Sequence, residues 1–228
     1  MTDDPLRLVI FDVDGTLVDS QSSILAAMRG ACARAGQPAL PDAQVLSIVG
    51  LSLPEAMAVL FPGLPAATRI TMVEYYKQSF MELRQRGAAE AAAALYPGAR
   101  QALEALDKAG YLLSVATGKA RRGLDHMIAS HDLHGLFIGT QTADDAPSKP
   151  NPQMVLNCLA ATGADPGQAV LVGDTEFDLD MARAAGCHAI GVSWGYHPQA
   201  RLRRARPFRI IDGFDELIPA LDALWDAA

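Results

Sequence analysis

A short apolar run, Leu6 to Phe11, opens the chain and stops at Asp12-Val-Asp14-Gly15-Thr16. A β-branched and aromatic stretch bounded by a turn residue predicts a buried strand. The texture then changes. From about Asp19 to Arg86 the apolar residues recur at helical spacing. Asp19 or Ser20 caps a first helix that ends at Gly36. Pro41-Asp42 and Leu53-Pro54-Glu55 open two short helical pieces, separated by Gly50, and Phe61-Pro62-Gly63 ends the second. A long helix follows from about Pro65 to Arg86, and the Ala-rich stretch Ala88 to Ala94 reads as a helix end or linker.

From Tyr96 onward, short apolar runs alternate with helical periods. Strands are predicted at Tyr111–Ala116, Leu136–Ile138, Ala169–Val172 and His188–Val192. Helices are predicted after Pro97-Gly98 as far as Gly110, and at 121–130, 152–161, 176–185 and 214–225. Repeated strand–helix units imply a parallel sheet covered on both faces, with ligands held outside the carboxyl ends of the strands. The fold class is therefore α/β: a Rossmann-like doubly wound parallel sheet core, interrupted after its first strand by an inserted α-helical domain. The expected boundaries are 1–17 plus 92–228 for the core and 18–91 for the insert.

Four polar segments sit at predicted strand ends or just before a helix: Asp12 to Thr16, Thr117-Gly118-Lys119, Ser148-Lys149-Pro150-Asn151-Pro152, and Gly173 to Asp178. Residues i and i+2 of an extended chain point the same way, so Asp12 and Asp14 face one small volume. Their repulsion is costly unless a cation lies between them or one is protonated. A core strand has no structural need of such a pair, and chemistry is expected there.

Composition narrows the class. Half of the 228 residues are hydrophobic, a fifth are charged, and the net charge is −7, which argues against a nucleic-acid-binding surface. An anionic substrate remains compatible, because a metal or a few local cations can reverse the field within one cleft. The basic cluster Arg201, Arg203, Arg204, Arg206 and Arg209 reads as a solvated helix face. Cys32, Cys158 and Cys187 are odd in number, widely spaced and without CxxC pairing, which predicts buried thiols in a reducing compartment. Neither a signal pattern near Asp3-Asp4-Pro5 nor a run of membrane-spanning length is present, so a cytoplasmic protein is expected.

Taken together, the four segments resemble the ordered motifs of the haloacid-dehalogenase-like superfamily, and the helical insert after the first motif resembles that family's C1-type cap. The resemblance is to the branch containing phosphoglycolate phosphatase and β-phosphoglucomutase, and it spans essentially the whole chain. It implies that Asp12 is a nucleophile forming an aspartyl phosphate, and that Asp14 is the general acid and base. It further implies Mg²⁺ held by Asp12, the backbone carbonyl of Asp14 and Asp174, with Asp178 as an outer ligand. Thr117 and the Gly118 N–H would grip phosphoryl oxygens, Lys149 would offset developing negative charge, and Gly15 would let the backbone turn closely beneath the phosphate.

Residue identity separates the branches. Dehalogenases of this family lack the second aspartate, so Asp14 disfavours halide chemistry. Phosphonate-cleaving relatives use a cap lysine, and Lys77 lies deep in the long helix. The resemblance favours hydrolysis of a small phosphomonoester, with phosphoglycolate the best single substrate. A sugar-phosphate mutase remains the alternative, followed by a pyrophosphatase or nucleotidase. Within the cap, Arg29 and the Gly50-Leu51-Ser52 loop are candidates to touch the substrate. The partner is thus a small phosphorylated metabolite, with no nucleic acid or membrane, acting on a monomer or homodimer.

Overall fold

The computed structural model describes residues 6–85 and 93–226. Its six strands are β1 (Leu8–Phe11), β2 (Leu112–Ala116), β3 (Gly139–Gln141), β4 (Ala169–Gly173), β5 (His188–Val192) and β6 (Arg209–Ile211). They form one sheet in the order β3-β2-β1-β4-β5-β6, and every pairing is parallel. The direction of winding reverses between β1 and β4, the place where doubly wound sheets open a crevice.

The alternation within β1 explains why both faces are covered. Val9 and Phe11 enter one core with Leu103, Leu124 and Leu221, while Leu8 and Ile10 enter the other with Met154, Leu171 and Leu179. Helices α5 (Ala99–Lys108), α6 (Arg121–Ser130) and α10 (Leu217–Asp226) supply the first face. The second face is covered by α7 (Gln153–Thr162), α8 (Glu176–Ala184) and α9 (Gln199–Arg204). In α5, Ala99, Ala102, Leu103 and Leu106 are buried, the spacing of one helical face turned to the sheet.

Between β1 and α5 the described residues form four helices: α1 (Gln21–Arg34), α2 (Asp42–Leu46), α3 (Leu53–Leu60) and α4 (Ala66–Gln85). They pack around a hydrophobic cluster of their own that includes Ile24, Met28, Val45, Met57, Met72 and Tyr76. The chain leaving the sheet and the chain returning to it run side by side. Asp19 N–H donates to Ala94 O at 2.9 Å and Tyr96 N–H to Leu17 O at 2.9 Å.

Four local expectations change. The third strand begins at Gly139, after the expected Leu136–Ile138: Leu136 and Phe137 pack against the core, and the exposed Ile138 makes the first bond to β2, its N–H donating to Leu113 O at 2.8 Å. Helix α9 and strand β6 were not foreseen: α9 is short and rich in arginine, and β6 has three residues, so neither carries an apolar period. The arginine cluster is also not wholly solvated, since Arg201 turns inward to pair with Glu176. Ser20 stands at the start of α1 but makes no cap hydrogen bond, and Asp19 Oδ1 accepts from Gln21 N–H at 3.1 Å instead. The predicted helix end at Arg86 and most of the stretch Ala88 to Ala94 lie outside the described residues.

Fully buried Leu103 contrasts with Leu156, which is 39% exposed on α7. Leu103→Ala is expected to lower unfolding free energy by about 2–5 kcal/mol, and Leu156→Ala by less than about 0.5 kcal/mol, in urea denaturation. Equal losses would show that α5 does not carry the core-facing load.

Candidate active site

Three of the four polar segments meet because their strands are neighbours in register. Phe11 pairs with Val115 of β2 on one side and with Val172 of β4 on the other. The next residues along each strand therefore emerge together. Asp12 N–H extends the ladder to Val172 O at 3.0 Å, while Thr117 N–H bonds Gln141 O at 3.0 Å. Lys149 arrives from the loop before α7 to complete the group.

Lys149 is fully buried, and its Nζ donates to Asp12 Oδ1 at 2.6 Å and Asp178 Oδ1 at 2.6 Å. Burial works against the ammonium, yet the two carboxylates more than offset it and raise its pKa above the ordinary lysine value. Asp178 is held from its other side: Thr175 N–H and Oγ1–H donate to Oδ2 at 3.1 and 2.6 Å, closing a capping box at the start of α8.

Asp174 Oδ1 accepts from Thr16 Oγ1–H at 3.0 Å and Oδ2 from Tyr196 N–H at 2.8 Å. Burial first, then repulsion from Asp12 and Asp178, pushes its carboxyl well above the usual range. Asp12 is raised to about 7, mainly by burial and against the pull of Lys149. Its Oδ2 is buried and accepts no hydrogen bond.

Oxygens of Asp12, Asp174 and Asp178 lie within 4.8 Å of one another. If all three carboxylates were ionised, the one ammonium would leave two negative charges, an excess that favours protonation or a bound cation, and one oxygen of Asp12 has no donor. A hard divalent cation fits this donor set: it satisfies the orphaned Asp12 oxygen and relieves the repulsion among the carboxylates.

Asp14 is turned elsewhere. Its Oδ1 accepts from Ser20 Oγ–H at 2.5 Å and pairs with Lys119 Nζ at 2.8 Å, while its side chain lines the cavity beside Asp12. The serine expected as a helix cap thus serves this carboxylate. Thr117 and Gly118 also line the cavity, and Thr117 Oγ1 accepts from Lys119 N–H at 3.2 Å.

One sequence-based assignment requires correction, and one glycine has a further role. Arg29 does not reach the site: it is exposed and pairs with Asp42 at 2.6 Å on the outer surface, because the cavity-facing side of α1 is given to Ile24 and Met28. Gly15 lies in a turn, as expected, and packing also holds that position to glycine. At its φ of +92° a Cβ would fall 2.3 Å from Asp174 Oδ2, so glycine is required there to admit the Asp174 carboxylate.

The helical block rests directly on this centre. A Cβ at Gly118 would lie 2.5 Å from Gly50 O and 2.8 Å from Leu51 O, so the backbone of the 50–52 loop packs where a larger residue would clash. Ser52 N–H donates to Ser148 Oγ at 2.8 Å. On the opposite side His197 bridges the two parts: Nδ1 accepts from Glu176 N–H at 3.1 Å, which leaves Nε2–H to donate to Ser47 O at 3.0 Å. Burial, aided by Arg201, lowers the His197 pKa and keeps this neutral form.

Sequence reasoning left Lys119, Ser148, Tyr196 and His197 without assigned roles. Lys119 and Ser148 stood inside the motifs, and residues 194–197 follow a strand end; that position was the available signal. Removing the central cation tests the electrostatics. In metal-free protein, Lys149→Met is expected to cost about 3–5 kcal/mol in unfolding free energy, because two buried carboxylates lose their counter-charge. Unchanged stability would mean that the three groups are not ionised as drawn.

A profile of the haloacid dehalogenase-like hydrolases matches residues 9–192. The chain is 36% identical over 219 residues to the protein named "Probable phosphatase IndB" of Dickeya dadantii, covering 95% of this chain and 94% of that one. To the phosphoglycolate phosphatase of Haemophilus influenzae it is 28% identical over 228 residues, covering 94% and 98%. The crystal structure of a hydrolase from Pseudomonas syringae superposes with a TM-score of 0.83 at 25% identity, covering 95% of this chain and 98% of that one. The sheet order, the convergent strand-end loops and these similarities agree: the chain belongs to the haloacid dehalogenase-like hydrolase family.

Proposed function

We propose that this enzyme is a Mg²⁺-dependent phosphatase that hydrolyses a small phosphomonoester through an aspartyl-phosphate intermediate on Asp12. The observation that carries the proposal is the buried, unbonded Oδ2 of Asp12 at a cavity wall, beside a lysine whose charge is secured by two carboxylates. The phosphatase and phosphoglycolate phosphatase relatives support the reaction class.

In the first step, the Asp12 carboxylate forms a bond to phosphorus as the ester P–O bond breaks. The departing alkoxide takes the proton of Asp14. In the second step, Asp14 takes a proton from water, the water oxygen bonds to phosphorus, and the P–O bond to Asp12 breaks to give inorganic phosphate. Lys149 keeps Asp12 oriented and sets a fixed positive charge next to the attacking carboxylate. Ser20 and Lys119 hold the Asp14 carboxyl in place. Thr117 Oγ1 and Gly118 N–H are assigned to the phosphoryl oxygens.

Asp12, Asp174 and the Asp14 carbonyl would hold Mg²⁺, with Asp178 behind them anchoring Lys149. The ion would contribute positive charge to the phosphoryl group during transfer. Residues 18–91 act as a cap domain on a core of 1–17 plus 92–228, hinged at Leu17–Ser20 and at Ala88–Leu95, the latter mostly outside the described residues. Cys32, Cys158 and Cys187 are buried free thiols, which supports a cytoplasmic setting.

Phosphate release from a panel of phosphomonoesters, with Mg²⁺ and with chelator, tests this reading. Chelation is expected to abolish turnover. Asp12→Asn is expected to lower kcat by at least about a thousandfold, and Asp14→Asn by about 10²–10⁴-fold with little change in substrate affinity. Full turnover by Asp12→Asn would overturn the covalent mechanism.

A further inference from the structure

The cavity that begins at Asp12 and Asp14 has a volume of about 290 Å³ and extends between the core and the helical block. Its far wall is built almost wholly from apolar side chains: Met28 of α1, Ile48 and Leu51 of the loop, Leu53 of α3, and Tyr76 and Phe80 of α4. Tyr76 and Phe80 stack with ring centroids 6.2 Å apart, so this wall also presents aromatic surface.

The cations near it are engaged or peripheral. Lys119 is committed to Asp14 at 2.8 Å, and its Nζ stands 5.7 Å from the Phe80 ring centroid. Lys77 is half exposed and pairs with Glu74 at 2.8 Å. Arg122 is exposed and Arg84 is partly exposed, so water competes for the charge of both. A carboxylate on the leaving group would therefore be pressed against Leu51, Leu53 and Met28 without a buried counter-charge, an unfavourable exchange for its hydration. An uncharged apolar group meets the same wall at a gain.

We propose that the physiological ester carries an uncharged, apolar alcohol of ring-like or branched bulk, and that the enzyme discriminates against the short carboxylate ester phosphoglycolate. The inference rests on the phosphatase reading and deepens it. The Asp12 end of the cavity takes the phosphoryl group, and the wall of α1, α3 and α4 selects what is attached to it.

Two measurements on the Mg²⁺-loaded enzyme test it. The first is kcat/KM for methyl, propyl, pentyl and phenyl phosphate against phosphoglycolate. Each buried methylene is expected to raise kcat/KM about fourfold, with phenyl phosphate at least about tenfold above phosphoglycolate. The second is calorimetric binding of two inert phosphonates, benzylphosphonate and phosphonoacetate, with benzylphosphonate expected to bind at least about tenfold more tightly. Phe80→Ala should reduce the phenyl-to-methyl preference. Leu53→Lys, which places a cation in the wall, should shift preference toward phosphoglycolate. A flat alkyl series, or tighter binding of phosphonoacetate, would overturn the proposal. If no ester releases phosphate, the phosphatase reading fails, and the phosphonate comparison still decides the polarity of the pocket.

Discussion

A lysine without solvent, clamped between two carboxylates, governs the arrangement of this site. Lys149 draws Asp12 and Asp178 to 2.6 Å each, and those residues come from segments separated by more than a hundred positions. Removing three such charges from water is costly, and the cost is repaid only when every lone pair has a partner. Thr175 meets that condition at Asp178, while Thr16 and Tyr196 meet it at Asp174. One oxygen of Asp12 is left over. The hydrogen bonds of Asp174, Asp178 and one oxygen of Asp12 are thus fixed by the fold, and the second oxygen of Asp12 is left open at the cavity, an arrangement of preorganised charge.

The same centre is joined to the helical block through backbone contacts that depend on small residues. Gly118 admits the 50–51 carbonyls, and the Ser52–Ser148 and His197–Ser47 hydrogen bonds tie the block down on either side. Among the described residues, the block brings no fully buried cation to the cavity. It contributes an apolar, partly aromatic wall, while the core contributes the charges. In the proposed reaction, the chemistry and the surroundings of the leaving group would be carried by different parts of the chain, a division that allows one to vary while the other is retained.

The strand ends were legible in the sequence because their signals are local. Leu8–Phe11 and Ala169–Gly173 are uninterrupted apolar runs closed by polar turns, and Asp12, Asp14, Thr117, Lys149 and Asp174 stand at or near such boundaries. The arginine-rich α9 and the edge strand β6 escaped notice because a three-residue strand and a six-residue helix carry too little periodicity. Arg29 was misplaced for a different reason. Its helix was predicted correctly, but which side of α1 faces the cavity depends on how α1 packs along α4.

Sequence alone determined most of the order of strands and helices, the α/β class, the interruption after the first strand and the polar segments at the strand ends. These follow from backbone preferences and hydrophobic periods, which act over a few residues. The tertiary structure alone decided that Lys149 serves two aspartates, that Ser20 and Lys119 hold Asp14, that Gly15 makes room for Asp174, and that the cavity wall is apolar. Each of those outcomes depends on distances between side chains remote in sequence, and only the packing of the sheet against its helices sets such distances.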